Sequence, residues 1–147
     1  MLYCLKCGVW AYKNHKCNIM SLIPITRDMC GIADRLHSLG LELMSAGCFT
    51  HPVKDSFYEH KIIIDIEFKR QYPTTILGGL PTGWVWYTQT VSSDHLSLMA
   101  LSYSETYVWL GETVEERIKQ ITEEFETYLD TMIDKDGFKA VLTLMDS

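Results

Sequence analysis

Residues 58–69 read YEHKIIIDIEFK and contain the clearest secondary-structure signal in the chain. One set of alternate positions holds Ile62, Ile64, Ile66 and Phe68, and the other holds Ile63, Asp65, Glu67 and Lys69. Because successive side chains of a β-strand point to opposite faces, this period predicts a strand with one apolar face. The more polar face is expected to meet water, as in a half-buried antiparallel sheet.

Three further stretches predict strands of the same sheet. They cover residues 41–50, 84–91 and 96–103, and the latter two contain enough β-branched or aromatic side chains to be strands. His51 and Pro52 are expected to end the first of these strands. The remaining segments are a turn-rich connection over residues 73–83, a hairpin turn over 92–94 and an extension of the sheet over 107–109.

A helix is predicted before these strands. Thr26 can act as its N-cap, and apolar residues recur after it at three- and four-residue steps. Gly40 stands where a helix often ends in a left-handed residue. The preceding residues 20–24 are expected to be a short linker.

A longer helix is predicted after the strands, over about residues 113–134. Thr113 and Glu116 have the spacing of a capping box. The expected buried stripe consists of Val114, Ile118, Ile121, Phe125, Tyr128, Leu129 and Met132. Asp136 and Gly137 are expected to break this helix before a short final helix or strand.

The predicted order is therefore a front module, a helix, about four antiparallel strands and a long helix. Connections of hairpin length favour an antiparallel sheet with helices packed on one face. The sequence predicts an α+β fold in which a small zinc-binding module, residues 1–19, precedes an α+β domain, residues 20–147.

Four potential metal ligands lie near the N-terminus in the pattern C-x2-C-x7-H-x-C. They are Cys4, Cys7, His15 and Cys17. Thiolate and imidazole groups suit zinc in tetrahedral sites, and four protein ligands would leave no open position, so the expected zinc is structural. Cys30, Cys48 or His51 could replace a ligand of the second half.

Residues 4–8, CLKCG, resemble the knuckles of zinc ribbons and rubredoxin-like sites. In those knuckles a glycine frees the backbone so that amides can point at the sulfurs, and Gly8 occupies that place. Ribbons usually repeat C-x-x-C, whereas this chain continues with His15-Lys16-Cys17. The alternative is a redox pair of the thioredoxin kind, which is disfavoured because no helix is predicted after Cys7.

Charge is unevenly distributed along a chain whose net charge is −6. Residues 1–27 contain four basic and no acidic residues, whereas the other 120 contain 9 basic and 19 acidic ones. An acidic surface repels nucleic-acid phosphate, so any such binding is expected at the front. There the candidate phosphate contacts are Lys6, Lys13 and Lys16, and the candidate stacking residues are Trp10 and Tyr12.

Asp55, Glu67 and Lys69 resemble the PD…(D/E)xK signature of a family of metal-dependent nucleases. The resemblance implies that two carboxylates hold Mg²⁺ while the lysine steadies the attacking water or the phosphate. Pro52 is not adjacent to Asp55, which departs from the signature. The alternative is that these residues belong to the solvated face of the strand.

Trp84 and Trp86 fall on one face of a predicted strand and could line a groove for a ligand or partner. The alternative, which typical aromatic burial favours, is a sheet core beneath the long helix.

A closed metal site and the lack of a convincing catalytic set favour a small, non-enzymatic interaction or regulatory protein. We expect a protein partner on the front module or the aromatic strand; a bacterial or phage accessory protein would have these features. No apolar run has membrane-spanning length and no secretory signal is evident, so we expect a cytoplasmic protein without membrane contact. An exposed sheet edge could pair with a second copy, but the sequence selects no oligomeric state.

Overall fold

The computed structural model describes residues 2–11, 15–17, 22–55, 58–90, 97–108 and 113–147. Its strands are β1 (Leu2–Cys4), β2 (Val9–Ala11), β3 (Leu22–Pro24), β4 (Leu43–Pro52), β5 (Glu59–Phe68), β6 (Trp84–Thr90) and β7 (Ser97–Val108). Its helices are α1 (Cys30–Ser38), α2 (Val114–Thr131) and α3 (Lys135–Met145). None of the helices within these ranges combines the length and the apolar character needed to cross a bilayer.

The strands form two antiparallel sheets. The front sheet has the order β2-β1-β3, and the main sheet has the order β4-β5-β7-β6. All pairings between named strands are antiparallel. Together with the three helices, these sheets confirm the predicted α+β fold.

The period-two pattern of residues 58–69 is confirmed in β5. Ile62, Ile64 and Ile66 are fully buried, whereas Asp65 and Glu67 on the other face are partly exposed. β5 lies between β4 and β7, so its apolar face forms the centre of the core. β4 ends at Pro52, so it begins two residues later and continues two residues further than the strand predicted over residues 41–50.

The long helix α2 covers the apolar face of the main sheet. The ring of Phe125 stacks on that of Trp84 at a centroid distance of 4.0 Å. The predicted cap is confirmed, because Thr113 Oγ1 accepts a hydrogen bond of 3.2 Å from the amide of Glu116. Met132 is 71% exposed, so its place in the buried stripe was predicted wrongly: α2 ends one residue earlier, at Thr131.

The break after α2 lies earlier than predicted. α3 begins at Lys135, and its N-cap is Asp134, whose Oδ1 accepts a hydrogen bond of 3.1 Å from the amide of Gly137. Asp136 and Gly137 therefore form the first turn of α3 and do not break a helix.

Thr26 precedes the first helix but does not cap it with its side chain. Its Oγ1 accepts a hydrogen bond of 2.9 Å from the amide of Cys48, and its own amide donates to the carbonyl of Ala46 at 3.1 Å. A 3-10 turn at Arg27–Met29 leads into α1. The left-handed conformation predicted after the helix is confirmed, since Gly40 has φ +99°.

The front sheet is joined to the main core. Residues 22–24 form β3, which pairs with β1, so the linker predicted over residues 20–24 is wrong for that part. Tyr3 and Ile23 are buried in the same core as α1 and the main sheet. The Tyr3 hydroxyl donates a hydrogen bond of 2.7 Å to Asp34 Oδ1. These contacts span the predicted boundary at residue 19, and the division into two domains remains a prediction.

Several predicted features fall outside the described residues. They are the hairpin turn over residues 92–94, the extension of the sheet at Trp109, the start of the linker at Met20, and Tyr12 and Lys13 of the front module.

Candidate metal centre

Cys4 and Cys7 are placed by the central strand of the front sheet and the turn after it. Cys4 ends β1 and pairs with Val9 on one side and Leu22 on the other, so its backbone is fixed on both edges. The turn closes through a hydrogen bond of 2.8 Å from the amide of Gly8 to the carbonyl of Cys4. Gly8 has φ +68°, a left-handed conformation that glycine adopts readily.

The four predicted ligands converge. One ligand atom from each of Cys4, Cys7, His15 and Cys17 lies within 4.8 Å of all the others, and the Sγ atoms of Cys7 and Cys17 are 3.3 Å apart. A tetrahedral site with metal–sulfur bonds of about 2.3 Å requires sulfur separations of roughly 3.8 Å. The arrangement can therefore hold a metal ion. Cys30, Cys48 and His51 do not belong to this group.

His15 supplies an independent indication of a ligand. Its Nε2 atom is buried and has no hydrogen-bond partner within the described ranges. A buried polar nitrogen without a partner is costly, and a bound water or ion is one of the established explanations for such groups in native proteins. A metal ion bound among the three sulfurs would satisfy this nitrogen.

The cluster is buried on the side that faces the protein and exposed to solvent on the other side. Cys4 is fully buried, whereas Cys7 is exposed. Burial raises the pKa of Cys4, but hydrogen bonds from the Cys7 amide, His15 and Cys17 outweigh it and lower that pKa to about 7. Hydrogen bonds with the thiols of Cys17 and Cys4 raise the pKa of Cys7 to about 11. Metal binding must therefore release protons, because the ligands are thiolates.

Three of the residues predicted to bind nucleic acid lie near the cluster: two lysines and one aromatic residue. Lys6 and Lys16 are exposed. The ring of Trp10 is half-buried and meets the ring of Tyr3 edge to face at a centroid distance of 5.4 Å. Trp10 is therefore only partly available for stacking on a base.

The front sheet has one face on the core and one face outward. The paired residues Tyr3, Trp10 and Ile23 occupy the inner face. Because strand residues alternate between faces, the residues between them point outward. Cys4 shares this side of the sheet but is fully buried beside the other ligands, and the remaining residues form a surface, here called the front apolar face, made of Leu2, Val9, Ala11, Leu22 and Pro24. Leu2 and Val9 are its most exposed large side chains.

The structure does not bring the nuclease-like residues together. Asp55 lies in the turn after β4, with φ +65°, near the pair formed by Pro52 and His60. Glu67 lies at the other end of β5, and Lys69 follows that strand. Seven strand residues of about 3.4 Å separate His60 from Glu67, or roughly 24 Å. Asp55 and Glu67 therefore cannot share one metal ion, because the hairpin holds them at opposite ends.

Trp84 occupies the sheet core rather than a groove. It is buried and stacks on Phe125 of α2. Trp86 is partly buried beside Phe68, with ring centroids 5.5 Å apart. Trp84 therefore belongs to the sheet core beneath the long helix, which was the alternative to the predicted groove.

The sequence predictions missed the residues that tie the centre to the rest of the protein. Neither β1 nor β3 was predicted, and the contact between Tyr3 and Asp34 joins positions 31 apart. The apolar run Leu22-Ile23-Pro24-Ile25 was the available signal for β3. Three-residue strands are too short for a period to be recognised.

Comparisons of the chain with protein-family models, with curated proteins and with solved structures found no match. No activity is therefore suggested by a relative. Since a fold alone does not determine function, the function is inferred from the chemistry of the cluster and the surfaces around it.

Proposed function

We propose that this chain is a non-enzymatic interaction protein whose front sheet is held by one structural zinc ion on Cys4, Cys7, His15 and Cys17. The observation that carries the proposal is the convergence of these four ligand atoms, among them a buried His15 Nε2 that has no hydrogen-bond partner among the described residues. Three thiolates and one imidazole form a ligand set typical of structural zinc sites.

The ligand set supports a structural role over a catalytic one. Catalytic zinc keeps a position open for water or substrate, whereas four protein ligands fill the tetrahedron. The fully buried Cys4 also anchors the metal to the central strand of the front sheet. The ion would cross-link β1 to the segment around Cys17 and so order the outward surface.

The front apolar face is the surface that supports binding of a protein partner. Leu2 and Val9 are exposed beside the metal cluster, and Lys6 and Lys16 lie close in sequence to the ligands. Interfaces commonly combine an apolar centre with a polar rim. The burial of Trp84 favours this face over the aromatic strand as the docking surface.

Metal content is the first test. The wild-type protein purified with zinc present should carry about one zinc ion per chain by plasma mass spectrometry. Cys4→Ser should lose the ion, whereas Cys30→Ser, a thiol outside the cluster, should keep it. A folded wild-type protein that binds no zinc would refute the proposal.

Partner capture is the second test. Quantitative mass spectrometry of proteins retained from a lysate should identify a partner that binds the wild type and Cys30→Ser. Leu2→Lys should lose this partner while keeping its zinc, because Leu2 is exposed on the front apolar face and pairs with Ala11 and Pro24, neither of which is a metal ligand. Retention of all partners by Leu2→Lys would exclude this face as the docking surface.

Nucleic-acid binding at the front is a second candidate function. It is favoured by the exposure of Lys6 and Lys16 in a region without acidic residues. Fluorescence anisotropy with a labelled single-stranded 12-nucleotide probe should then show binding that weakens steeply between about 50 and 200 mM salt. Binding that ignores salt, or no binding, would exclude this candidate.

A further inference from the structure

Within the part of the chain that the structure describes, β6 is an edge strand with none of the usual protection. Among the described strands it pairs only with β7, through a continuous register without a bulge. Its seven residues, WVWYTQT, include neither a charged residue nor a proline. Natural edge strands are normally protected by charges, prolines, bulges or a covering segment, because unpaired backbone groups recruit other strands.

The opposite edge of the same sheet is protected. The backbone of Thr26 donates to the carbonyl of Ala46 at 3.1 Å, and its hydroxyl accepts from the amide of Cys48 at 2.9 Å. Ile25 forms a further bridge with Ala46, and β4 ends in Pro52. The chain thus satisfies the outer backbone groups of β4 at Ala46 and Cys48 but leaves β6 without an equivalent segment among the described residues.

The charge pattern indicates what can occupy this edge. β6 and the adjoining residues 97–104 of β7 contain no charged residue, although the chain as a whole has a net charge of −6. Two copies of an acidic chain repel each other, so a contact between copies is least opposed where both are neutral. A foreign partner recognised by charge would find no complementary group on this edge.

We infer that β6 pairs antiparallel with β6 of a second copy, which joins the two main sheets into one continuous sheet. A two-fold axis through Tyr87 uses all seven residues and places Val85 opposite Gln89 of the other copy. Tyr87 would then lie opposite Tyr87 of the other copy, and Val85 would lie diagonal to that ring; both side chains are exposed on the outer face of the single sheet. This pairing is independent of the metal centre, which lies on the front sheet.

The expected dimer is weak. Seven paired residues extend over roughly 24 Å, and a single strand junction buries less surface than the roughly 1,200–2,000 Å² of stable interfaces. A dissociation constant on the order of tens of micromolar is therefore expected.

Analytical ultracentrifugation of the full chain, between about 5 and 500 μM, tests the inference around that constant. The wild type should change from monomer to dimer over this range. Val85→Lys should raise the dissociation constant by at least about tenfold, because it places a charge on each side of the junction. Val108→Lys is the matched control: Val108 is 44% exposed and Val85 57%, on the same sheet face, but Val108 lies at the end of β7, beyond Tyr103, the last residue that pairs with β6.

Wild-type protein that stays monomeric at all concentrations would overturn the inference. Equal dimerisation of Val85→Lys and Val108→Lys would overturn the assignment to β6. Amide hydrogen exchange of the wild type gives a readout without a variant, since protection in β6 should rise with concentration while protection in β4 stays constant. Protection that rises in β4 or in the front sheet instead would place the contact elsewhere.

Discussion

The two sheets of this protein are stabilised by different means. The strands of the front sheet have three residues each, whereas those of the main sheet have seven to twelve. The main sheet buries a continuous apolar face under α2. Very short strands gain little from pairing alone; Tyr3 and Ile23 insert into the main core, and we propose that a metal ion on the four ligands supplies the remaining stabilisation of the front sheet. Two sheets of one chain can therefore respond differently to the same perturbation.

Removal of the metal should separate the two sheets most clearly. Structural zinc sites in small peptides contribute on the order of 10 kcal/mol of binding free energy, which is largely folding free energy. Chelation or Cys4→Ser should therefore greatly reduce amide protection in β1 and β2 while β5 stays protected, as measured by hydrogen exchange. Cys30→Ser serves as the control, and unchanged protection in β1 after chelation would show that the front sheet needs no metal.

Phe125→Ala should instead destabilise the main sheet and leave the metal content of the front sheet unchanged. Removing this buried ring from its stack on Trp84 should lower the free energy of unfolding by about 3–5 kcal/mol in urea titrations. Zinc content under native conditions should stay at the wild-type value. Met132→Ala, at an exposed position after the same helix, should change stability by less than about 0.5 kcal/mol. Similar effects of the two variants would mean that α2 does not supply the core.

The ion pair between Glu105 and Arg117 should have a smaller, pH-dependent effect on the main sheet. Arg117 Nε donates to Glu105 Oε2 at 2.7 Å, and the Tyr103 hydroxyl donates to Oε1 at 2.8 Å. The hydrogen bonds from Arg117 lower the pKa of Glu105 below its ordinary value. Stabilisation by the carboxylate is therefore complete above the unfolded pKa and is lost as the pH falls through the lower, folded value.

Glu105→Gln should accordingly cost about 1–2 kcal/mol near pH 6.5 and less near pH 3.5. Urea unfolding of both proteins at the two pH values measures this difference. Metal loss at low pH affects the wild type and the variant alike, so the comparison between them remains matched. A cost that stays constant with pH would show that the ionised carboxylate contributes nothing specific.

Tyr3→Phe should produce the smallest change and tests the link between the sheets. It removes the hydrogen bond to Asp34 but keeps the buried ring, so the expected loss is about 1 kcal/mol. Asp34→Asn, which retains an acceptor oxygen, should lose less. Chemical denaturation with zinc present measures both variants, and a larger loss for Asp34→Asn would contradict the assigned role of the Tyr3 hydroxyl.

The parts of the fold that could be predicted are those encoded by local periods. The alternation in β5 and the three- and four-residue steps in α2 extend over enough residues to reveal their buried faces. Thr26 was misassigned because its hydroxyl has two uses, a helix cap or a contact with β4, and only the tertiary structure selects between them. The boundary between α2 and α3 was missed for the same reason. Asp134 and Gly137 could each mark this boundary in the sequence, and only the hydrogen bond between them identifies Asp134 as the N-cap of α3.

The candidate site shows a similar division. The four metal ligands could be predicted because they lie close in sequence and share one chemistry. The spacing of the motif did not reveal that Asp55 and Glu67 lie far apart. They are twelve positions apart in the sequence, and the extended hairpin places them at its opposite ends. Trp84 was ambiguous for another reason: a strand pattern does not show which face a helix will cover.

The short span of the metal ligands also affects the order of folding. All four lie within residues 4–17, whereas β5 reaches β7 through pairs as distant as Glu59 and Val108. Closing the shorter loop costs roughly 1 kcal/mol less in chain entropy, and local contacts generally form faster. During synthesis the ligands emerge from the ribosome before any strand of the main sheet, so metal capture can precede the formation of the core that later anchors Tyr3 and Ile23.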